Sequence, residues 1–117
     1  MGIDLKVLAS HFRERNGEVL ATASLRLERD PQLLSQLAID SKPCLVRPLP
    51  HGLKVGHHED EGLRFEDVDR YLKPLTFTTP ADLKRLRLPD DLSAWNRAVL
   101  SFILALLPDT RLILYWC

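Results

Sequence analysis

At 117 residues the chain has the size of one domain, and we expect a single globular domain over residues 1–117. Hydrophobic residues make up 45% of the sequence and charged residues 27%, which excludes an intrinsically disordered chain. The 16 basic residues balance 16 acidic ones, so no excess of positive charge favours nucleic acid as a partner.

Targeting signals and cysteines bear on the compartment. The opening stretch "MGIDLKVLAS" lacks the charged and apolar regions of a signal peptide. The most apolar segment, residues 98–107, has about half the length needed to cross a bilayer. Cys44 and Cys117 form neither a CxxC pair nor a disulfide framework. We therefore expect a cytoplasmic protein with no membrane partner, reduced thiols and a buried Cys44.

Two half-buried strands are predicted near the start. Residues 3–9 and 19–27 alternate between apolar and polar side chains, with Lys6 on the polar face of the first strand. Between them, Asn16 and Gly17 are the residue pair that tolerates positive φ, which predicts an antiparallel hairpin.

The register of this hairpin contains a conflict. A two-residue loop pairs odd positions with even ones and would place the two apolar sets on opposite faces. Either the loop has three residues, 16–18, or a bulge near residues 10–12 shifts the face, and the apolar Phe12 favours the bulge.

Three helices are predicted further along the chain. The first spans about residues 31–39 after Asp30 as N-cap, and the second begins after Thr79. The main helix runs from about 91 to 107 and ends at Pro108. Because its second half is apolar on nearly every side, we expect it to be enclosed.

The remaining strands complete the predicted fold. Short strands are expected at residues 44–47 and 52–55, and residues 110–116 have the composition of a central strand covered on both faces. The order of elements predicts an α+β fold, with a mainly antiparallel sheet of about 4–5 strands and about three helices packed on it.

Residues 56–73 are polar and acidic and are the longest stretch without strong periodicity. We expect a loop here, with a helical turn at residues 66–71, and any functional loop should lie in this part of the chain.

A metal site in this loop is the alternative hypothesis. It would use His57 or His58 with Glu59, Glu61 or Asp67, which are ligand types suited to zinc or a similar divalent ion. However, no HExxH spacing is present, and adjacent histidines point to opposite sides of an extended chain. A solvated acidic loop is the favoured interpretation.

Other catalytic patterns are missing. The sequence has no GxSxG elbow, no P-loop and no GxGxxG fingerprint. Clustered carboxylates on a polar loop are ordinarily all ionised, which does not favour acid and base catalysis. We therefore lean towards a protein that is not an enzyme and expect no cofactor.

Residues suited to a protein partner occur in two places. The acids Glu59, Asp60 and Glu61 lie in the loop, and Trp95 and Arg97 begin the main helix. Tryptophan and arginine are enriched at binding hot spots, although a structural role for this pair is favoured. A homodimer through an exposed strand edge is also compatible with the sequence.

The stretches "CLVRPLPHGLKVG", "EDEGLRF" and "WNRAVLSFILALLPDTRLILYW" resemble a group of uncharacterised small bacterial proteins of about this length. The resemblance covers most of the chain and implies no activity and no functional residues. The small α+β build, balanced charge and lack of catalytic motifs also look like immunity proteins of bacterial toxin systems, by analogy and without a shared motif. The preferred hypothesis is a non-enzymatic protein-interaction or regulatory module. The alternative is a small metal-binding protein or metal-assisted hydrolase that uses residues 57–69.

Overall fold

Two β-sheets and three short helices make up the described part of the fold. The computed structural model describes residues 4–10 and 15–117. In chain order the elements are β1 (Leu5–Ser10), β2 (Glu18–Leu20), β3 (Ala23–Leu27), α1 (Pro31–Leu34), β4 (Arg47–Pro48), β5 (Lys54–Glu59), β6 (Gly62–Glu66), β7 (Thr76–Thr78), α2 (Pro80–Leu83), α3 (Ala94–Leu104) and β8 (Arg111–Trp116). The predicted α+β class with a mainly antiparallel sheet is confirmed.

The larger sheet has five strands in the order β3-β1-β8-β7-β4, and every neighbouring pair is antiparallel. The predicted central strand is confirmed as β8, whose side chains from Leu112 to Tyr115 are all buried. Strand β1 is buried along its whole length as well. The prediction that one face of β1 meets solvent is therefore wrong, and Lys6 is only 8% exposed.

The helices cover one face of the larger sheet. Leu5 and Val7 of β1 share the main hydrophobic core there with Val99, Leu100 and Ile103 of α3. Since β1 alternates, its other face, which carries Lys6 and Leu8, is turned away from the helices.

Each helix begins at a side-chain cap. Asp30 and Thr79 accept hydrogen bonds from backbone amides of α1 and α2, as predicted, and Ser93 caps α3 in the same way. Two predicted helices are too long, because α1 gives way to a 3-10 turn at Ser35–Leu37 and α3 covers only Ala94–Leu104.

The expectation that the main helix is enclosed on all sides is also wrong. Phe102 on α3 is 49% exposed, and Leu107 beyond its end is 70% exposed. The segment from α3 to Leu107 has more apolar residues than positions that face the sheet, so some of its apolar side chains remain exposed. In the described part of the chain, no helix is both long and apolar enough to span a membrane.

The predicted strand over residues 19–27 is divided between the two sheets. Residues 23–27 form β3 and pair with β1, whereas β2 pairs with β5 in parallel. The chain crosses over at Thr22, whose amide and hydroxyl groups both donate to the Ala9 carbonyl. The conflict of register predicted for a single hairpin is resolved by this division, because β3 pairs with β1 odd to odd, with Val7 opposite Leu25, while the turn at residues 16 and 17 leads into β2 of the other sheet.

The predicted turn at Asn16 and Gly17 is confirmed, with φ of 53° and 74°, and it joins Arg15 to Glu18. The bulge predicted near residues 10–12 falls partly outside the described residues.

The smaller sheet has the order β2-β5-β6, with β5 and β6 forming an antiparallel hairpin. Its inner face packs on the side of the larger sheet that the helices leave open. A second hydrophobic core lies between the two sheets and consists of Leu8, Val55, Leu75, Ile113 and Tyr115. The structure thus has three layers, with helices, the larger sheet and the smaller sheet in that order.

Three further predictions are corrected. Residues 54–66 form a hairpin where a loop was expected, and residues 66–71 contain no helical turn; instead the Asp69 carboxylate accepts hydrogen bonds from the Tyr71 and Lys73 amides. Cys44 is exposed, although it was expected to be buried. Its thiol lies within hydrogen-bond distance of the Ile39 and Val46 carbonyl oxygens.

Candidate functional site

The β5–β6 hairpin turns alternate side chains towards the larger sheet. Val55 and His57 are at most 1% exposed, whereas His58 between His57 and Glu59 is exposed to solvent. The two adjacent histidines therefore point to opposite sides, as predicted. Glu66 on β6 lies opposite Val55 and shares the inner face.

Charged and polar side chains from five segments meet between this hairpin and the larger sheet. We call this group the inter-sheet cluster; its members are Lys6, His57, Glu59, Glu66, Arg70 and Tyr115. Lys6 and Tyr115 come from the larger sheet, where they lie side by side on β1 and β8. The cluster thus joins the two sheets through groups that would be costly to bury without partners.

His57 lies at the centre of the inter-sheet cluster. Its Nδ1 is 3.4 Å from the Lys6 ammonium, and its Nε2 is 3.1 Å from a carboxylate oxygen of Glu66. The imidazole also packs on the Tyr115 ring, with centroids 4.7 Å apart and a tilt of 50°. The imidazole of His57 is therefore held by packing on Tyr115 and by contacts at both ring nitrogens.

These partners determine the protonation of His57. An ammonium group only donates and a carboxylate only accepts, so Nδ1 is the acceptor and Nε2 carries the hydrogen. A second proton, on Nδ1, would face the Lys6 ammonium. Burial, and after it the charge of Lys6, lower the pKa of His57, and this outweighs the opposite effect of Glu59 and Glu66.

Glu59 faces two cations. Its carboxylate oxygens lie 3.5 Å from the Lys6 ammonium and 3.3 Å from the Arg70 guanidinium. Burial raises the pKa of Glu59, but the charges of Lys6 and Arg70 prevail and the net shift is downward. One oxygen, Oε1, is buried and accepts no hydrogen bond from any described residue, so its contact with Lys6 is electrostatic.

Glu66 connects the hairpin to Tyr115. The tyrosine hydroxyl lies 3.3 Å from both carboxylate oxygens of Glu66 and donates to them. Burial raises the pKa of Tyr115, so the phenol remains a donor. The inter-sheet cluster therefore alternates donors and acceptors from Tyr115 to Arg70.

A metal ion is one chemical use that this geometry invites. Ligand atoms of His57, Glu59 and Glu66 all lie within 4.8 Å of one another. However, Glu59 faces Nδ1 of His57 and Glu66 faces Nε2. A single ion bonds to only one of these two nitrogens. The Lys6 ammonium also occupies the side of Nδ1. Binding by all three residues would require these side chains to move.

The residues predicted for a metal site are only partly brought together. His57 and Glu59 both belong to the inter-sheet cluster, whereas His58, Glu61 and Asp67 are exposed outside it. The members contributed by β1, β8 and the segment after β6 were not predicted as site residues. Lys6 and Tyr115 are recognisable only once the second sheet is known to cover them.

The residues predicted for a partner surface are also divided. Asp60 and Glu61 are exposed at the hairpin turn, but Glu59 is turned inward. Trp95 and Arg97 lie on α3, in the helical layer on the far side of the larger sheet. The Trp95 indole donates to the Arg26 carbonyl at 2.6 Å, and Arg97 donates to the Leu92 carbonyl at 3.2 Å. Both side chains thus bind backbone of this chain.

The opposite side of the small sheet is apolar. We call it the outer face; its large apolar residues are Leu20, Leu63 and Phe65, which are 51%, 47% and 42% exposed. Phe65 lies directly over Gly56, where an added Cβ would come within 2.6 Å of a ring carbon. In the described part of the chain β6 pairs with β5 alone, so its other side is a free edge.

Comparisons with protein-family models, with curated proteins and with solved structures found no match to this chain. The features of this chain that bear on function are the inter-sheet cluster, the outer face and the β6 edge.

Proposed function

We propose that this protein is a non-enzymatic interaction or regulatory module that binds an extended protein segment along β6. The observation that carries the proposal is the free edge of β6 beside the exposed side chains of Leu63 and Phe65. An extended segment that joins a sheet edge gains main-chain hydrogen bonds and places alternate side chains on each face.

The inter-sheet cluster supports this use of the hairpin. Glu59 is held by Lys6 and Arg70, and Glu66 by His57 and Tyr115, so both strands of the hairpin are fixed to the larger sheet. A strand held in place before binding loses little conformational entropy on forming a complex. The same burial removes His57 and Tyr115 from contact with a substrate, which favours binding over catalysis.

The surface beside the edge indicates what the bound segment contains. On the outer face, Leu63 and Phe65 favour apolar or aromatic side chains at every second position. On the inner side, Arg64 is 51% exposed and lies 3.7 Å from Glu66, and it favours a further acidic side chain opposite it.

A random peptide library displayed on phage tests the proposal without knowledge of the natural partner. We expect enriched peptides to alternate apolar residues and to bind with affinity reduced about tenfold or more by Phe65→Lys. The control is Leu88→Lys, which changes a leucine of similar exposure outside the small sheet. Enrichment of no peptide, or equal binding to both variants, would contradict the proposal.

A metal-binding protein is the second candidate, and the proximity of His57, Glu59 and Glu66 is the observation that favours it. Elemental analysis of untagged protein, with thermal melting in the presence and absence of a chelator, tests it. Stoichiometric metal and a chelator-sensitive melt that is lost in His57→Gln would support this candidate. A melt that neither Zn²⁺ nor chelator changes would overturn it.

A further inference from the structure

We infer that the segment bound along β6 is β6 of a second copy, which makes the protein a symmetric dimer with one continuous six-stranded sheet. This inference depends on the proposed function, because it assigns the partner of the same edge. Three features of the molecule support it: the other sheet edges, the charges of β6 and the outer face.

The other three sheet edges are blocked or short. Strand β4 has two residues, one of which is Pro48 and lacks an amide hydrogen. Along β3 the Arg26 carbonyl is occupied by the Trp95 indole. Strand β2 has three residues, and the Leu20 carbonyl accepts the Ser10 hydroxyl. Strand β6 is five residues long and contains no proline, so it is the described edge best suited to pairing.

The charges of β6 select one register for pairing with itself. Two copies related by a two-fold axis pair in an antiparallel manner, and the residue at the axis lies opposite its own copy. With Arg64 at the axis, two arginines would be opposed, which is destabilising. With Phe65 at the axis, Arg64 of each copy, which lies 3.7 Å from Glu66 of its own chain, also lies opposite Glu66 of the other. The charges of β6 are thus complementary to themselves in this register.

The outer face becomes continuous in the same register. The two Phe65 rings meet at the axis, each already lying on Gly56 of its own copy. Leu20 follows on β2, where it is registered with Gly56. An apolar row then crosses all six strands, and the exposed surface of Phe65 is reduced in each copy. Edge pairing of this length buries less area than a standard interface, so the dimer is reversible and depends on concentration.

Sedimentation velocity over a range of concentrations measures the association. The wild-type chain, of 13.4 kDa, is expected to pass from monomer to dimer as the concentration increases. Arg64→Glu should weaken the dimer about tenfold or more, since it opposes two like charges on each side of the axis. Arg85→Glu, which reverses a charge on an exposed residue after α2, should leave dimerisation unchanged.

Cysteine crosslinking tests the register in a chain with Cys44 and Cys117 replaced by serine. Phe65→Cys should form a disulfide-linked dimer, because directly opposed residues have Cα atoms about 4.5–5.5 Å apart. Leu63→Cys is the control, since its two copies would lie roughly 13 Å apart along the strands. Equal crosslinking of both variants would overturn the register, even if the chain dimerises.

The results separate this inference from the proposed function. A chain that stays monomeric at every concentration but binds selected peptides in a Phe65-dependent manner would overturn the dimer and keep the proposed function. A monomer that also binds no peptide would overturn both. A dimer that Arg64→Glu does not weaken would show that another surface joins the copies.

Discussion

At the scale of single residues, the neutral imidazole of His57 links stability to pH. Its pKa is lowered in the folded chain by burial and by Lys6. As the pH falls below the ordinary histidine value of 6.5, the unfolded chain takes up a proton that the folded chain resists, so the free energy of unfolding decreases. The stabilisation is complete above this pH and is lost below it.

We therefore expect His57→Gln to flatten the pH dependence of stability between about pH 7 and 5.5, by up to about 1.4 kcal/mol per pH unit. Urea denaturation at a series of pH values measures the slope. His58→Gln is the matched control, because His58 is exposed on the other side of the same strand, and it should keep the wild-type slope. Identical slopes in wild type and His57→Gln would rule out this linkage.

The Lys6 ammonium compensates the buried charge of Glu59. Lys6→Met keeps most of the side-chain volume but leaves Glu59 with Arg70 as its remaining cation. We expect the free energy of unfolding to decrease by about 2–4 kcal/mol, since removal of one member of a largely buried pair leaves the other only partly compensated. Adding Glu59→Gln should restore at least part of the loss. If Glu59→Gln changes the free energy of unfolding equally in the wild-type and Lys6→Met chains, the two side chains are not coupled.

At the scale of elements, the start of α3 is attached to the edge of β3. The buried Asn96 side chain accepts from the Glu28 amide at 2.8 Å and donates to the Glu28 carbonyl at 3.1 Å. The neighbouring Trp95 indole donates to the Arg26 carbonyl. The first turn of α3 therefore replaces the sheet neighbour that β3 lacks.

Asn96→Ala should lower the free energy of unfolding by about 2–3 kcal/mol, because two backbone groups of Glu28 lose their partner. Trp95→Phe keeps an aromatic ring but removes one hydrogen bond, and its effect should be smaller, at about 1 kcal/mol. Thermal unfolding of the two variants compares them. A larger loss for Trp95→Phe would mean that ring packing, and not the attachment through Asn96, stabilises this edge.

Features that depend on neighbouring residues could be predicted from the sequence, whereas features that depend on distant strands could not. The caps at Asp30 and Thr79 and the turn at Asn16 depend on neighbours within a few residues, and all were predicted. The split between β2 and β3 was not, because an alternating pattern does not specify which sheet each half joins. Lys6 was assigned to a solvent face for the same reason, since only the small sheet buries it.

At the scale of the whole molecule, the two hydrophobic cores differ in size. The core between the helices and the larger sheet contains most of the buried aliphatic residues, whereas the core beneath the small sheet has five buried members. Since local stability follows the buried apolar contacts of each region, the small sheet should open before the larger one.

Native-state hydrogen exchange tests this order at concentrations where the chain is monomeric. We expect amides of β5 and β6 to exchange through openings about 1–2 kcal/mol below the free energy of global unfolding. Amides of β1 and β8 should exchange only through global unfolding and so report the full value. Equal exchange free energies in all four strands would instead show a single cooperative unit.

The pairing of β1 with β8 has a consequence for the synthesis of the chain. Lys6 is registered with Tyr115, so the middle of the larger sheet joins segments from opposite ends of the described sequence. On the ribosome, β1 and β3 emerge early and can form their own pairing, but the place beside β1 stays empty until residues 111–116 have been translated. Because such distant contacts are slow to form, β1 is the segment that a nascent-chain chaperone would meet exposed.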